Sequence, residues 1–316
     1  MPLVAAPPAS SLAPGLAAIM ILFTCGLLIC AASRSSAFYT FTFSRGARPL
    51  HYQFAGFAIN VLSVVIPGRF DSDVEATSTM SFPWPTLLSP AGYAFAIWGV
   101  IYVGEFLGIA ILAGSRDFAE VAAPSSFSWF CACASQALWC ASFRPWALSR
   151  LWLSTFALGA TATCLFVSQR ALVAHVAAST PQMRNHPLRW ALFIGPRSLH
   201  LGWTTVATAV NLNAWVGKAA FGTPNAVAVA VASFGASIAL AARFAAWDGL
   251  CAAAFALAWG LFAVGIGRPV GIDAEALGAP ALAGLLLCAK LAAAICAVFA
   301  IVPWRAVEAT MAKQMA

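Results

Sequence analysis

Charge is missing from long stretches of this chain. No Asp, Glu, Lys or Arg occurs in residues 76–104, 121–143, 151–169, 198–217, 219–242 or 249–267. Ala, Val, Leu, Ile and Phe fill most of these runs, and single charged residues close them. About 20 apolar residues in a helix rise about 30 Å, the thickness of a bilayer's hydrocarbon core. With 62% hydrophobic and 9% charged residues and a mean hydropathy of +0.86, the chain is excluded from the soluble class, where about 25% charged is usual. The expectation is an all-α, polytopic transmembrane helical bundle whose first partner is the lipid bilayer.

The net charge of +7 does not point to nucleic acid. The seventeen Lys and Arg are scattered singly at the ends of apolar runs, which is the pattern of membrane topology rather than of a phosphate-binding face. Their distribution favours placing the 34–50 and 170–190 loops inside, the latter holding Arg170, His175, Arg184, His186 and Arg189. The nine cysteines lie mostly within apolar runs, with no CxxC pair and no nearby histidine set. Small buried thiols are the default for such positions, and no metal site is expected.

Residues 13–33 form an apolar run preceded by no Lys or Arg and followed by Arg34, Arg45 and Arg48. A secretory signal carries its positive charge before the apolar core. A first anchor and an organelle-targeting leader both remain open. Further apolar segments are expected at about 51–67, 92–113, 126–143, 148–167, 190–215, 224–243, 247–267 and 280–304. The chain thus reads as an N-terminal segment and basic loop (1–50), a core (51–218) and a three-helix C-terminal extension (219–316).

The stretch from Phe82 to Leu112 organises the rest. Pro90 closes a Trp-bearing loop, so that a helix can start near Gly92. Phe95, Trp98, Tyr102 and Glu105 then recur at offsets of three and four and form one stripe. Gly92, Gly99, Gly104 and Gly108 remove bulk, as membrane helices do where a neighbouring backbone approaches closely. The stripe has two readings, core packing or the wall of a ligand site. The spacing of Gly104 and Gly108 also permits a homodimer contact.

Farther along, His200, Trp203, Thr204, Ala207 and Asn211 share a helical face, with Trp215 at its edge. Polar groups on a spanning helix point inward, because lipid cannot satisfy their hydrogen bonds. Glu105 and Lys290 are the charges placed deepest in apolar runs, and such charges are functional by default. They are expected either to pair, closing the C-terminal helices on the core, or each to reach an interface alone. His200 suits axial ligation of a haem iron or a hydrogen bond to a neighbouring helix. Gln136 and Asn211 are expected to satisfy each other or nearby backbone. The chain has no paired-carboxylate site, G-x-S-x-G, P-loop or H-E-x-x-H, so neither an enzyme nor an ATP-driven pump is expected.

These residues resemble the TspO/MBR family, the tryptophan-rich sensory proteins or translocator proteins, over about residues 51–218. PAGYAFAIWGVIY from Pro90 to Tyr102 is similar to the family's loop-to-second-helix motif. Cys133 to Trp139 is similar to its third-helix motif, with Gln136 at the Asn position, and Trp203, Ala207, Thr208 and Asn211 match its fifth-helix motif. The variants are most like the longer bacterial and plant-type members, which carry extra C-terminal spans. The resemblance implies a five-helix bundle around an apolar cavity that accepts flat tetrapyrroles or, less well, sterols. It implies that Trp139 and Trp203 are cavity tryptophans, that Ala207 is a small residue beside the ligand, and that Phe95, Trp98 and Tyr102 form an aromatic wall. Tyr93 stands where the family has a loop-end Trp, His200 where Tyr is usual, and Leu212 and Asn213 where the sterol-recognition tyrosines would be.

The expected function is binding, with sensing or transport, of a hydrophobic planar small molecule at Tyr93, Phe95, Trp98, Tyr102, Gln136, Trp139, His200, Trp203, Ala207, Thr208 and Asn211. Glu105 and Lys290 form a candidate charge site. No cofactor is required, and porphyrin or haem is the candidate bound group. The rivals are an ion-coupled secondary transporter, a porphyrin-oxidising enzyme and a structural subunit. The expected location is a multi-pass position in a plasma membrane or an organelle envelope.

Overall fold

A computed structural model describes residues 48–65, 86–143, 145–184, 190–219 and 221–302, together with His186 and Leu188. The 13–33 segment and the acidic 69–80 loop lie outside the described residues. The principal helices are α1 (Arg48–Val65), α2 (Ile97–Gly114), α3 (Ser126–Ser142), α4 (Trp152–Ala178), α5 (Gly195–Lys218), α6 (Thr223–Ala242), α7 (Cys251–Gly265) and α8 (Ile272–Ile301). No strand occurs among the described residues, and the protein is an all-α integral, multi-pass membrane protein.

Four helical stretches are long and apolar enough to cross a membrane alone: Gly92–Gly114, Trp152–Ala178, Thr223–Trp247 and Ile272–Ile301. Helix α7 is apolar but has only 15 residues, and α3 has 17. Helix α5 is long enough, at 24 residues. Its buried Arg197, His200, Asn211 and Asn213 make it too polar to qualify by hydropathy. Those groups are turned into protein, where partners exist, rather than into lipid, where none do.

Several boundaries differ from the sequence expectation. Helix α4 continues through Arg170 and His175 to Ala178, so the basic 170–190 segment begins as helix. After Pro90 the chain first makes a 3-10 turn, Gly92–Ala96, and only then the α-helix. Helix α8 begins at Ile272, well before Pro280, and breaks where Gly278 adopts φ 74° just ahead of that proline. Proline cannot supply the N–H for a continuous ladder, and glycine alone accepts this backbone without a Cβ clash.

The helices fall into two compact units, one within Met1–Thr79 and Phe106–His175 and the other within Met80–Glu105 and Val176–Ala316. The second unit therefore combines part of the expected core with the expected C-terminal extension. In the first, α1 packs along α3. Gln53 Nε2 donates to Ser126 Oγ at 2.8 Å, and Asn60 Nδ2 to Gln136 Oε1 at 3.4 Å. These pairs advance together, so the helices run parallel. Gly56 allows the approach: a Cβ there would stand 3.0 Å from the Trp129 ring and 3.2 Å from Phe130 Cα. Ile59, Phe130 and Ala137 form the core between them, with Tyr52 packed against it.

In the second unit α5 lies along α7, and α7 and α6 both pack on α8. Gly202 makes the first of these contacts close, since a Cβ there would land on the carbonyl oxygen of Ala253. Farther along, Gly260 receives the side chain of Val206 in the same way. Asn213 Nδ2 ties α5 to α6 by donating to Ser233 Oγ at 3.0 Å.

Candidate functional site

Within the second unit, the 3-10 turn and the first half of α2 run against α5 in the opposite direction. A Cβ on Gly104 would stand 2.5 Å from Pro196 Cγ, so only glycine lets the two backbones come this near. Pro196 sits in the first turn of α5, directly after the π-turn Trp190–Ile194. The bare face of Gly104 is thus taken by this chain's own Pro196.

That approach assembles the aromatic stripe. Trp98 and Tyr102 stack with ring centroids 5.3 Å apart and 16° between planes. Trp203 meets Phe95 edge-on at 5.7 Å and Trp98 at 6.2 Å. Such offset and edge-to-face pairs each contribute about 0.5–1.5 kcal/mol beyond their area. Trp203 is buried, while Phe95, Trp98 and Tyr102 are half-buried. Tyr93 is exposed and meets Trp259 of α7 edge-on at 5.0 Å, and the Trp259 indole N–H donates to the Ala94 carbonyl at 3.0 Å.

Below the rings lies a buried ionisable pair. Glu105 Oε1 stands 2.7 Å from His200 Nδ1, and both residues have 0% exposure. The His200 ring also meets Trp98 edge-on at 5.4 Å. A charge-assisted hydrogen bond of this length is strong in an apolar surrounding. Glu105 Oε2 has no hydrogen-bond partner among the described residues. Arg197, one turn before His200, is likewise fully buried, and its guanidinium lies 6.0 Å from the Phe193 ring centroid.

Glu105 therefore pairs with His200 rather than with Lys290. Lys290 is exposed, and its stem crosses the last residue of α7, where a Cβ on Gly265 would stand 2.6 Å from Lys290 Cγ. A cation beside a helix C-terminus suits that helix's dipole. The pairing followed from register: α2 and α5 run antiparallel, which brings Glu105 level with His200, whereas α8 packs on α6 and α7.

The remaining expected residues divide. Ala207 and Thr208 are half-buried on α5, and the Thr208 hydroxyl donates to the Thr204 carbonyl at 2.7 Å. Asn211 Nδ2 donates to the Ala207 carbonyl at 2.9 Å, so it uses nearby backbone. Gln136 and Trp139 belong to the first unit, where Gln136 accepts from Asn60 and Trp139 stacks on Phe143 at 5.4 Å. Sequence reasoning missed Arg197 and Trp259. Arg197 had a signal, a lone charge directly after Pro196 at the head of an uncharged run. Trp259 had none, because its partner lies 165 residues away.

A family model described as TSPO-like protein matches residues 52–302, reaching through α6, α7 and α8 as well as the earlier helices. No curated protein and no solved structure matches the chain. Residues 52–302 make up most of the 316-residue chain, and the protein belongs to the TSPO-like protein family.

Proposed function

We propose that this membrane protein binds a flat, hydrophobic small molecule of the tetrapyrrole class at the Phe95–Trp98–Tyr102–Trp203 cluster, and that it senses or moves that ligand rather than converting it. The observation that carries the reading is the near-parallel Trp98–Tyr102 pair with Trp203 edge-on beside it. Stacked, half-buried rings offer a planar apolar ligand a matching face, and a few polar groups next to such a wall orient what binds. His200 and Glu105 are the polar groups at hand. A sterol is the weaker candidate. Asn213, in the segment where sterol-recognition tyrosines would stand, is committed to Ser233 and to the Ala209 carbonyl.

The test is protoporphyrin binding to detergent-purified protein, followed by quenching of tryptophan fluorescence. Saturable quenching is expected, with Kd weakened about 2- to 10-fold in Trp98→Phe and Trp203→Phe, corresponding to the loss of about 0.5–1.5 kcal/mol of ring pairing. Thermal melts establish that the variants are folded. Unsaturable quenching, or Kd values identical in both variants and the parent, refutes the site.

A second reading draws on the Glu105–His200 pair. Buried ionisable pairs inside membrane proteins mark ion and proton pathways, which favours ion-coupled transport of a small solute. Uptake into proteoliposomes that collapses with the proton gradient would support it.

A further inference from the structure

We propose that Glu105 and His200 together form a proton-binding site linked to the ligand site, so that an anionic planar ligand enters together with one proton. This rests on the ligand-binding reading above, and it adds a second ligand, the proton, and a charge requirement on the first.

Glu105 and His200 are both at 0% exposure, 2.7 Å apart, with Glu105 Oε2 lacking a hydrogen-bond partner among the described residues. The elements around them carry little other charge. On α5 the charged residues are Arg197 and Lys218, and Lys218 is exposed at the far end. The π-turn Trp190–Ile194, α6 and α7, which pack on α5, contain no Asp, Glu, Lys, Arg or His, and Cys251 is the titratable group of α7. From Gly92 to Gly114 the ionisable groups are Glu105 and the Tyr93 and Tyr102 phenols.

One added proton therefore raises the net charge of this buried group by one, and it goes to His200 Nε2, because Nδ1 already faces Glu105 Oε1. In its starting form the pair is a carboxylate accepting the Nδ1–H of a neutral imidazole. In its loaded form it is the same contact with one more proton, taken from solvent. The starting pair carries one net negative charge, which repels a ligand carboxylate at the adjoining aromatic face strongly in an apolar interior. The added proton makes the pair neutral overall and removes that repulsion, so anion and proton each favour the other's binding. A neutral ligand of the same shape gains nothing from the proton.

The geometry supplies a readout that needs no ligand. The His200 ring stands edge-on to Trp98 at 5.4 Å, and a protonated imidazole quenches an adjacent indole by accepting an electron from its excited state. Across about pH 5 to 8, wild-type emission is expected to fall in a single step as pH drops. The step is expected to vanish in Trp98→Phe and in His200→Gln. No step in the folded wild type overturns the proposal.

The linkage itself is read by titrating protoporphyrin, a dicarboxylate, and its uncharged dimethyl ester across the same pH range. For the diacid, Kd is expected to tighten by up to about tenfold per unit fall in pH, the limit for one linked proton. The slope is expected to be flat for the ester, and for the diacid to shrink to the ligand's own contribution in Glu105→Gln and His200→Gln. Equal slopes for both ligands, or an unchanged diacid slope in the variants, overturn the proposal while leaving the binding site intact. Absence of saturable binding by either ligand overturns the binding reading and the linkage with it.

Discussion

The Gly202→Ala substitution tests the packing on which the site depends. An added Cβ lands on the Ala253 carbonyl oxygen and stands 2.8 Å from both the carbonyl carbon and the Cα of that residue. All three are backbone atoms of α7, so no flexible side chain can swing aside. The helices must separate, and α5 carries His200 and Trp203 with it on either side of the substitution. Overpacking costs about 1–3 kcal/mol where side chains can adjust, and a backbone obstacle places this case near 3 kcal/mol. With an unfolding entropy of about 2.1 cal/mol/K per residue, about 1 kcal/mol shifts Tm by about 1.5 °C in a 316-residue chain, so a loss of about 4–5 °C is expected. Thermal unfolding in one detergent, followed by tryptophan emission, gives the measurement. Gly99→Ala is the control: nothing lies within 4 Å of a Cβ at Gly99, and alanine is the better helix former by about 1 kcal/mol. If Gly202→Ala melts no lower than Gly99→Ala, the close approach of α5 and α7 is wrong.

Two further outcomes follow from named bonds. Glu105→Leu and His200→Leu each strip a buried ionisable group of its partner and should each cost about 3–5 kcal/mol, whereas the double variant should cost clearly less than their sum; strict additivity in a double-mutant cycle would show that the two side chains do not interact. Trp259→Phe keeps the ring against Tyr93 but loses the N–H donated to the Ala94 carbonyl, so a loss of about 1 kcal/mol is expected, and an unchanged Tm would mean that this bond contributes nothing.

The class of this protein was legible in its uncharged runs, because lipid tolerates almost nothing but helices there. The aromatic stripe was legible too. Phe95, Trp98 and Tyr102 share a face by spacing alone, and the motif likeness pointed to Trp203 as their companion. His200 and Glu105 were recognisable as costly residues for a membrane segment. Helix ends were less legible, as α4 and α8 show, because helix can continue past the apolar run into Arg170 and His175, or start before a proline.

Partnership was a different matter. Glu105 and Lys290 were the two deepest charges by position, yet the carboxylate went to a histidine 95 residues away. Helical periodicity fixes which residues share a face of one helix. It says nothing about which other helix that face meets, in which direction, or at which height. Those depend on where backbones can approach, and here small residues decide: Gly104 against Pro196, and Gly202 against Ala253. The sequence by itself determined a membrane-embedded helical protein with aromatic and charged residues on inward faces. Only the tertiary structure decided that Trp98, Tyr102, Trp203, His200 and Glu105 form one cluster, because their order along the chain is unrelated to the close contacts that bring α2 and α5 into register.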